Sequence, residues 1–181
     1  MRPCSRGPGL ALIGYRGTGK STVGRILARR LSRTFLDCDL AIEARAKRSI
    51  RAIFAEFGEP AFRDWEEQAL AELTAGSPAV VLATGGGAIL REANRRRLRD
   101  FGFVAWLTAH PSVLARRLEA DRRGLGERPP LTTAGTLEEI VQVLAVRTPL
   151  YTELADAMIE TGERSPDQVA DSILDRWEPW A

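Results

Sequence analysis

Short apolar runs with no polar alternation recur at Gly9 to Ile13, Thr34 to Asp37, Ala79 to Thr84, Phe103 to Leu107 and Ala157 to Glu160. Runs of that kind suit strands buried on both faces, as in a parallel sheet. The stretches between them step by three to four residues: Val23, Ile26, Leu27 and Leu31, then Ile50, Ile53, Phe54 and Phe57, later Val169, Ile173 and Trp177. That is helical spacing. Strands alternating with helices predict right-handed crossovers and a five-stranded parallel sheet covered on both sides, a three-layer α/β/α fold with ligands beyond the carboxyl ends of the strands. No internal repeat, low-complexity tract or Gly/Ser linker divides residues 1–181, so they are expected to form a single domain.

Composition narrows the picture only a little. The 26 basic and 24 acidic residues leave a net charge of +2, and 44% of the chain is apolar, close to the globular average. The near balance argues against a phosphate-backbone binder, although Arg95-Arg96-Arg97 and Arg122-Arg123 form local clusters, read here as solvated faces. The longest apolar runs are far short of the roughly 20 residues that a bilayer requires. The start, Met1 to Pro8, leads into no long apolar stretch, so no membrane association and a cytoplasmic location are expected. Cys4 and Cys38 fit a reduced compartment. The cations divide unevenly, 24 arginines to two lysines, Lys20 and Lys47. A position that keeps lysine is a candidate for needing a compact ammonium.

Gly14-Tyr15-Arg16-Gly17-Thr18-Gly19-Lys20-Ser21 matches the phosphate loop G-x-x-x-x-G-K-[ST], between a predicted strand and a predicted helix. Its glycines let backbone N–H groups curl around phosphates at the positive end of the following helix. Lys20 is placed to reach the β and γ phosphates, and the Ser21 hydroxyl to ligate Mg²⁺. Asp37-Cys38-Asp39 ends the second predicted strand. In an extended run Asp37 and Asp39 face the same way, about 6–7 Å apart, one for a metal's water shell and one for an alcohol's proton; an aspartate there can equally cap a helix beginning near Leu40. Thr84-Gly85-Gly86-Gly87 leaves the end of the third strand without side chains, which suits close approach of a ligand or simply a turn. No aspartate follows that strand, so Asp37 stands in for the usual metal aspartate. Arg63, Arg128 and Arg147 offer planar forks for carboxylate or phosphoryl groups. Asp121 to Gly135, rich in Arg, Gly and Pro, reads as a mobile loop. His110, before Pro111 at a predicted helix start, matches no motif and is read as structural.

With these residues assembled, the chain resembles the shikimate kinase family from about Gly9 to Trp177. The phosphate loop, Asp37-Cys38-Asp39, Gly58-Glu59 with Phe62-Arg63, the Gly85 to Gly87 triplet, Arg128-Pro129 and Arg147-Thr148-Pro149-Leu150-Tyr151 fall in the family's order. The resemblance implies a single P-loop kinase domain with a substrate-binding helical region at about 40–72 and a lid at about 121–135. It implies ATP as co-substrate, Mg²⁺, and phosphorylation of the 3-hydroxyl of shikimate on the way to chorismate and the aromatic amino acids, by a cytoplasmic monomer. Carried over by motif, Lys20, Asp39 and Arg128 act in catalysis. Gly17, Thr18, Gly19, Lys20, Ser21 and Thr22 hold the nucleotide, with Arg117 and Arg164 flanking the adenine and Arg116 or Arg122 as alternatives to Arg117. Asp39, Arg63, Gly85, Gly86, Gly87 and Arg147 hold shikimate, and Ser21 and Asp37 the metal. The lid departs from the family: Arg128-Pro129-Pro130-Leu131 stands where Arg-Pro-Leu-Leu is usual, after a longer lead from Asp121.

Overall fold

The first strand, β1 (Gly9–Ile13), is buried along its whole length, and its alternate side chains feed two separate cores. Leu10 and Leu12 pack to one side, with Val23 and Leu27 of α1 (Lys20–Arg30) and Val169 and Ile173 of α7 (Pro166–Trp177). Ala11 and Ile13 pack to the other, with Ile42 of α2 (Cys38–Ala46), Ile53 and Leu70 of α3 (Ile50–Thr74), Leu98 of α4 (Glu92–Phe101) and Tyr151 of α6 (Leu137–Leu154). A strand serving two cores needs apolar residues at successive positions, which is why the run is unbroken.

In this computed structural model, which describes residues 6–76, 79–125 and 137–177, the side chains of 122–125 excepted, the remaining strands are β2 (Phe35–Asp37), β3 (Val81–Ala83), β4 (Gly102–Thr108) and β5 (Ala157–Glu160). They form one sheet in the order β2-β3-β1-β4-β5. Every neighbouring pair is parallel, Leu10 aligning with Val81 on one side and Phe103 on the other. The expected five-stranded α/β/α architecture is therefore present. The chain moves outward from β1 to β2, returns through β3 beside β1, and crosses to β4, so β1 and β3 end side by side at the carboxyl edge. The phosphate loop, Asp37, the glycine triplet and the turn after β5 all leave from that edge, where open parallel sheets bind ligands.

Several expectations change in detail. Phe57 does not join the core: it is 48% exposed, next to a break in α3 at Gly58, whose φ of 76° interrupts the helix. Asp39 is not extended; it lies in the first turn of α2, with Asp37 at the N-cap. The segment expected to loop from Asp121 is helical as far as Leu125, continuing α5 (Pro111–Leu125). The remainder of that segment, including Arg128, lies outside the described residues. His110 sits just before α5, its Nδ1 accepting from the backbone of Ser112, in keeping with a capping role. Arg91, at the N-cap of α4, pairs with Asp64 and Glu67, and three arginines of α4 are committed locally: Arg95 to the Ile89 and Leu90 carbonyls, Arg96 to Glu92, Arg99 to Glu153. Among the described residues no helix is long and apolar enough to cross a membrane.

Candidate active site

The loop after β1 turns into α1 through Gly19, whose φ of 89° is a left-handed conformation that glycine adopts without strain. The Thr18 hydroxyl donates to the Tyr15 carbonyl across the loop, 2.8 Å. The Lys20 ammonium lies against the loop itself, donating to the Gly14 and Tyr15 carbonyls at 2.9 Å each. These groups open on a cavity of about 390 Å³ lined by residues 16–23 together with Asp37, Asp39 and Thr84, and rimmed by Arg117 and Arg164. Arg117 spans from the loop to the turn after β5, donating to the carbonyls of Gly17, Thr161 and Gly162. Arg164 donates to the Ser172 hydroxyl. Arg116 is exposed and lines neither cavity.

Asp37 does two jobs. One carboxylate oxygen accepts from the backbone N–H of Asp39 and Leu40, capping α2, while the other accepts from the Ser21 hydroxyl at 2.6 Å. The capping reading thus holds for this residue, and a side chain with two oxygens can cap with one and face the phosphate loop with the other. The cap turns Asp39 into the first helical turn, 8% exposed. There its carboxylate approaches the glycine triplet: a Cβ on Gly85 would come within 3.0 Å of Asp39 Oδ1.

A second cavity, about 450 Å³, lies on the other side of Asp39. Its polar lining is Arg16, Arg51, Glu59, Arg63, Glu66, Arg147 and the glycine triplet, and its apolar wall is Ile50, Phe54 and Phe62 from α3. Arg63 donates to Glu66 at 2.7 Å and through Nε and Nη2 to Glu59. Burial works against the Arg63 charge, but Glu66 and Glu59 outweigh it and hold the guanidinium above its ordinary pKa. Burial raises the Glu66 carboxyl, with Arg63 pulling the other way. The triplet passes so close that a Cβ on Gly87 would collide with the Arg63 guanidinium. Close approach, more than turn geometry, explains these glycines. On the facing helix Arg147 Nη1 and the Tyr151 hydroxyl both donate to the Gly86 carbonyl, at 3.2 and 2.6 Å. Burial pushes the Tyr151 hydroxyl up to about 12. The Cys38 thiol, fully buried beneath Asp39, is likewise raised by burial and by the neighbouring carboxylates.

The structure brings the site residues carried over from the motifs to these two cavities, except Arg128, which lies outside the described residues; of the alternatives to Arg117, Arg116 lines neither cavity and the side chain of Arg122 also lies outside the described residues. Sequence reasoning passed over Arg16, Glu66 and the Tyr151 hydroxyl. Glu66 was signalled only by its i+3 spacing from Arg63, a pairing distance on any helix; Arg16 and Tyr151 lie inside the phosphate-loop and Arg147–Tyr151 motifs, at positions given no role of their own.

A phosphate loop on a parallel sheet, joined at a shared aspartate to a cavity bearing guanidinium groups, defines a P-loop kinase acting on a small anionic acceptor. The shikimate kinase family model matches residues 16–178. A shikimate kinase of Pseudomonas fluorescens (strain Pf0-1) is 47% identical over 92% of this chain and 94% of its own. One from Rhodopirellula baltica is 44% identical over 91% and 88%. The structure of shikimate kinase from Acinetobacter baumannii in complex with shikimate superimposes with a TM-score of 0.86 at 38% identity, covering 94% of this chain and 93% of that one. The chain belongs to the shikimate kinase family.

Proposed function

We propose that this chain transfers the γ-phosphoryl group of ATP to the 3-hydroxyl of shikimate, giving shikimate 3-phosphate and ADP. One observation carries the reading: Asp39 lines both the phosphate-loop cavity and the arginine-bearing cavity, so a nucleotide in one and a hydroxy acid in the other meet at its carboxylate. As the hydroxyl oxygen bonds to the γ-phosphorus, the bond to the bridging oxygen breaks and its electron pair leaves on ADP. Asp39 orients the hydroxyl and takes its proton. Transfer of this kind depends on positioning and charge stabilisation. Lys20 exchanges its loop carbonyls for the β and γ phosphates, and Gly17, Thr18, Gly19 and Thr22 complete the cradle. Arg117 and Arg164 flank the adenine, guanidinium planes being suited to stacking on a flat ring. Arg128, carried over from the family's motif, stabilises the transferring group.

In the second cavity Arg63 and Arg147 grip the carboxylate of shikimate, the turn of Gly85, Gly86 and Gly87 approaches its ring, and Ile50, Phe54 and Phe62 cover the ring's apolar face. Ser21 and Asp37 fit Mg²⁺: their oxygens are in direct contact, and hard oxygen donors suit that ion. When bound, the ion neutralises charge on the β and γ oxygens. On this reading the enzyme works as a cytoplasmic monomer.

A coupled ADP-release assay with shikimate, quinate and gluconate as competing acceptors tests the proposal. Shikimate is expected to be strongly preferred and its methyl ester to be a poor substrate. Preference for gluconate, or an ester as good as the acid, would overturn it.

A further inference from the structure

Among the described residues only two line both cavities, Asp39 and Arg16. Arg16 occupies a variable position of the phosphate loop, where binding of phosphates prescribes no side chain, yet it does not project into solvent: its side chain is 12% exposed. The guanidinium packs beside the Tyr15 ring, 5.7 Å from its centre, and its backbone N lies 3.4 Å from where a Cβ on Gly86 would stand. The loop and the glycine turn therefore close against each other at this residue. Across the junction, Arg16 Nη2 is 3.8 Å from Glu139 Oε1. Glu139 is 3% exposed and sits in the first turn of α6, the helix that also carries Arg147.

The charge at this junction needs a counterweight. With both cavities filled, a phosphoryl group passes beside the Asp39 carboxylate, and the acceptor's own carboxylate is close by. Anions so near each other in a partly desolvated space repel strongly, and a fixed cation there counts for more than one in water. Arg16 is such a cation. The 3.8 Å separation from Glu139 is longer than a hydrogen bond and is a Coulombic attraction between the two groups.

We infer that Arg16 is a further catalytic residue of the reaction, its guanidinium stabilising the transferring phosphoryl group at the junction it shares with Asp39, and that Glu139 is the positioning residue that holds it there. The inference rests on the proposed transfer from ATP to shikimate.

The test compares the wild-type protein with Arg16→Met, Arg16→Lys and Glu139→Gln, measuring kcat, the KM of each substrate, the Kd of ADP and of shikimate, and Tm. Arg16→Met is expected to lose about tenfold or more in kcat, as for removal of one charge-stabilising donor, with both Kd values within about threefold of wild type and Tm nearly unchanged. Arg16→Lys, which keeps a cation, should fall between Met and wild type. Glu139→Gln should lower kcat several-fold, and the Arg16→Met/Glu139→Gln double variant should be no slower than Arg16→Met, since the two act as a unit. Unchanged kcat in Arg16→Met, or a loss matched by equal losses of affinity and Tm, overturns the inference. Should Arg16→Met not fold, Arg16→Lys and Glu139→Gln decide: full rates in both overturn it, and reduced kcat at unchanged Kd supports it. Wild-type turnover in the same assay keeps the failures apart, because an inactive wild type sinks the proposed reaction, whereas an active wild type with an equally active Arg16→Met sinks only the role of Arg16.

Discussion

Lys20 spends its ammonium on two carbonyls of its own loop, and that arrangement defines what a substitution does. Alanine there removes two hydrogen bonds from a half-exposed group, a modest loss for the fold. It also removes the charge that faces the β and γ phosphates, a loss of about 10²-fold or more in kcat by comparison with other single electrostatic donors. Lys20→Ala is thus expected to melt within a few degrees of the wild type while its turnover collapses; steady-state kinetics beside a thermal scan check both halves. Legibility at this scale followed chemistry. Lys20, Ser21, Asp37 and Asp39 could be named because their motif is fixed by the needs of a phosphate. Glu66 and the Tyr151 hydroxyl could not, since a glutamate three residues from an arginine, or a tyrosine in a helix, has many uses, and only the fold reveals that both end beside the glycine turn.

At the scale of the element, the junction of β2 and α2 shows how one residue can hide a structural change. The chain reads as extended through Asp39, yet the helix begins at Cys38 because Asp37 caps it. A strand of three residues carries too little alternation to mark its own end. The two functions of Asp37 separate by substitution. Asparagine still caps well, so Asp37→Asn should keep stability within about 0.5 kcal/mol while raising the Mg²⁺ concentration needed for half-maximal rate. Asp37→Ala should show the same Mg²⁺ shift and lose about 1 kcal/mol besides, from the missing cap. Denaturant melts and Mg²⁺ titrations of the rate resolve the pair; equal stability of the two variants would exclude the capping role. The break in α3 was equally invisible, since Gly58 and Pro60 mark a possible kink without saying that Phe57 turns outward.

For the whole molecule, the runs that became β1, β3 and β4 are buried at nearly every position and pointed to a parallel sheet; the two edge strands depart from that expectation, β2 being half-buried and β5 alternating buried with exposed positions. The pairing of β1 with both β3 and β4 had no local signature; it comes from the crossovers. Tyr151 ties this scale to the solvent. Its ring stacks on Trp106 of β4, centroids 5.4 Å apart, and burial holds its hydroxyl neutral up to about 12, against about 10 in an unfolded chain. As pH rises past 10 the unfolded chain gives up this proton first, so stability is intact below pH 10 and declines toward pH 12, by at most about 2–3 kcal/mol. Tyr151→Phe should flatten that decline. Urea unfolding at pH 9 and pH 11.5 compares the slopes, and a variant that keeps the full pH dependence would show that another group is responsible.

The scarcity of lysine has an experimental consequence. With only Lys20 and Lys47 carrying side-chain amines, one in the phosphate loop and the other exposed at the end of α2, an amine-reactive ester has an occupancy probe and an internal control in the same molecule. Nucleotide in the cavity should shield the first and leave the second untouched, so the ratio of the two adducts, read by peptide mass spectrometry, becomes a binding isotherm that needs no turnover. Equal slowing at both sites would mean that the nucleotide tightens the whole chain and does not simply cover Lys20.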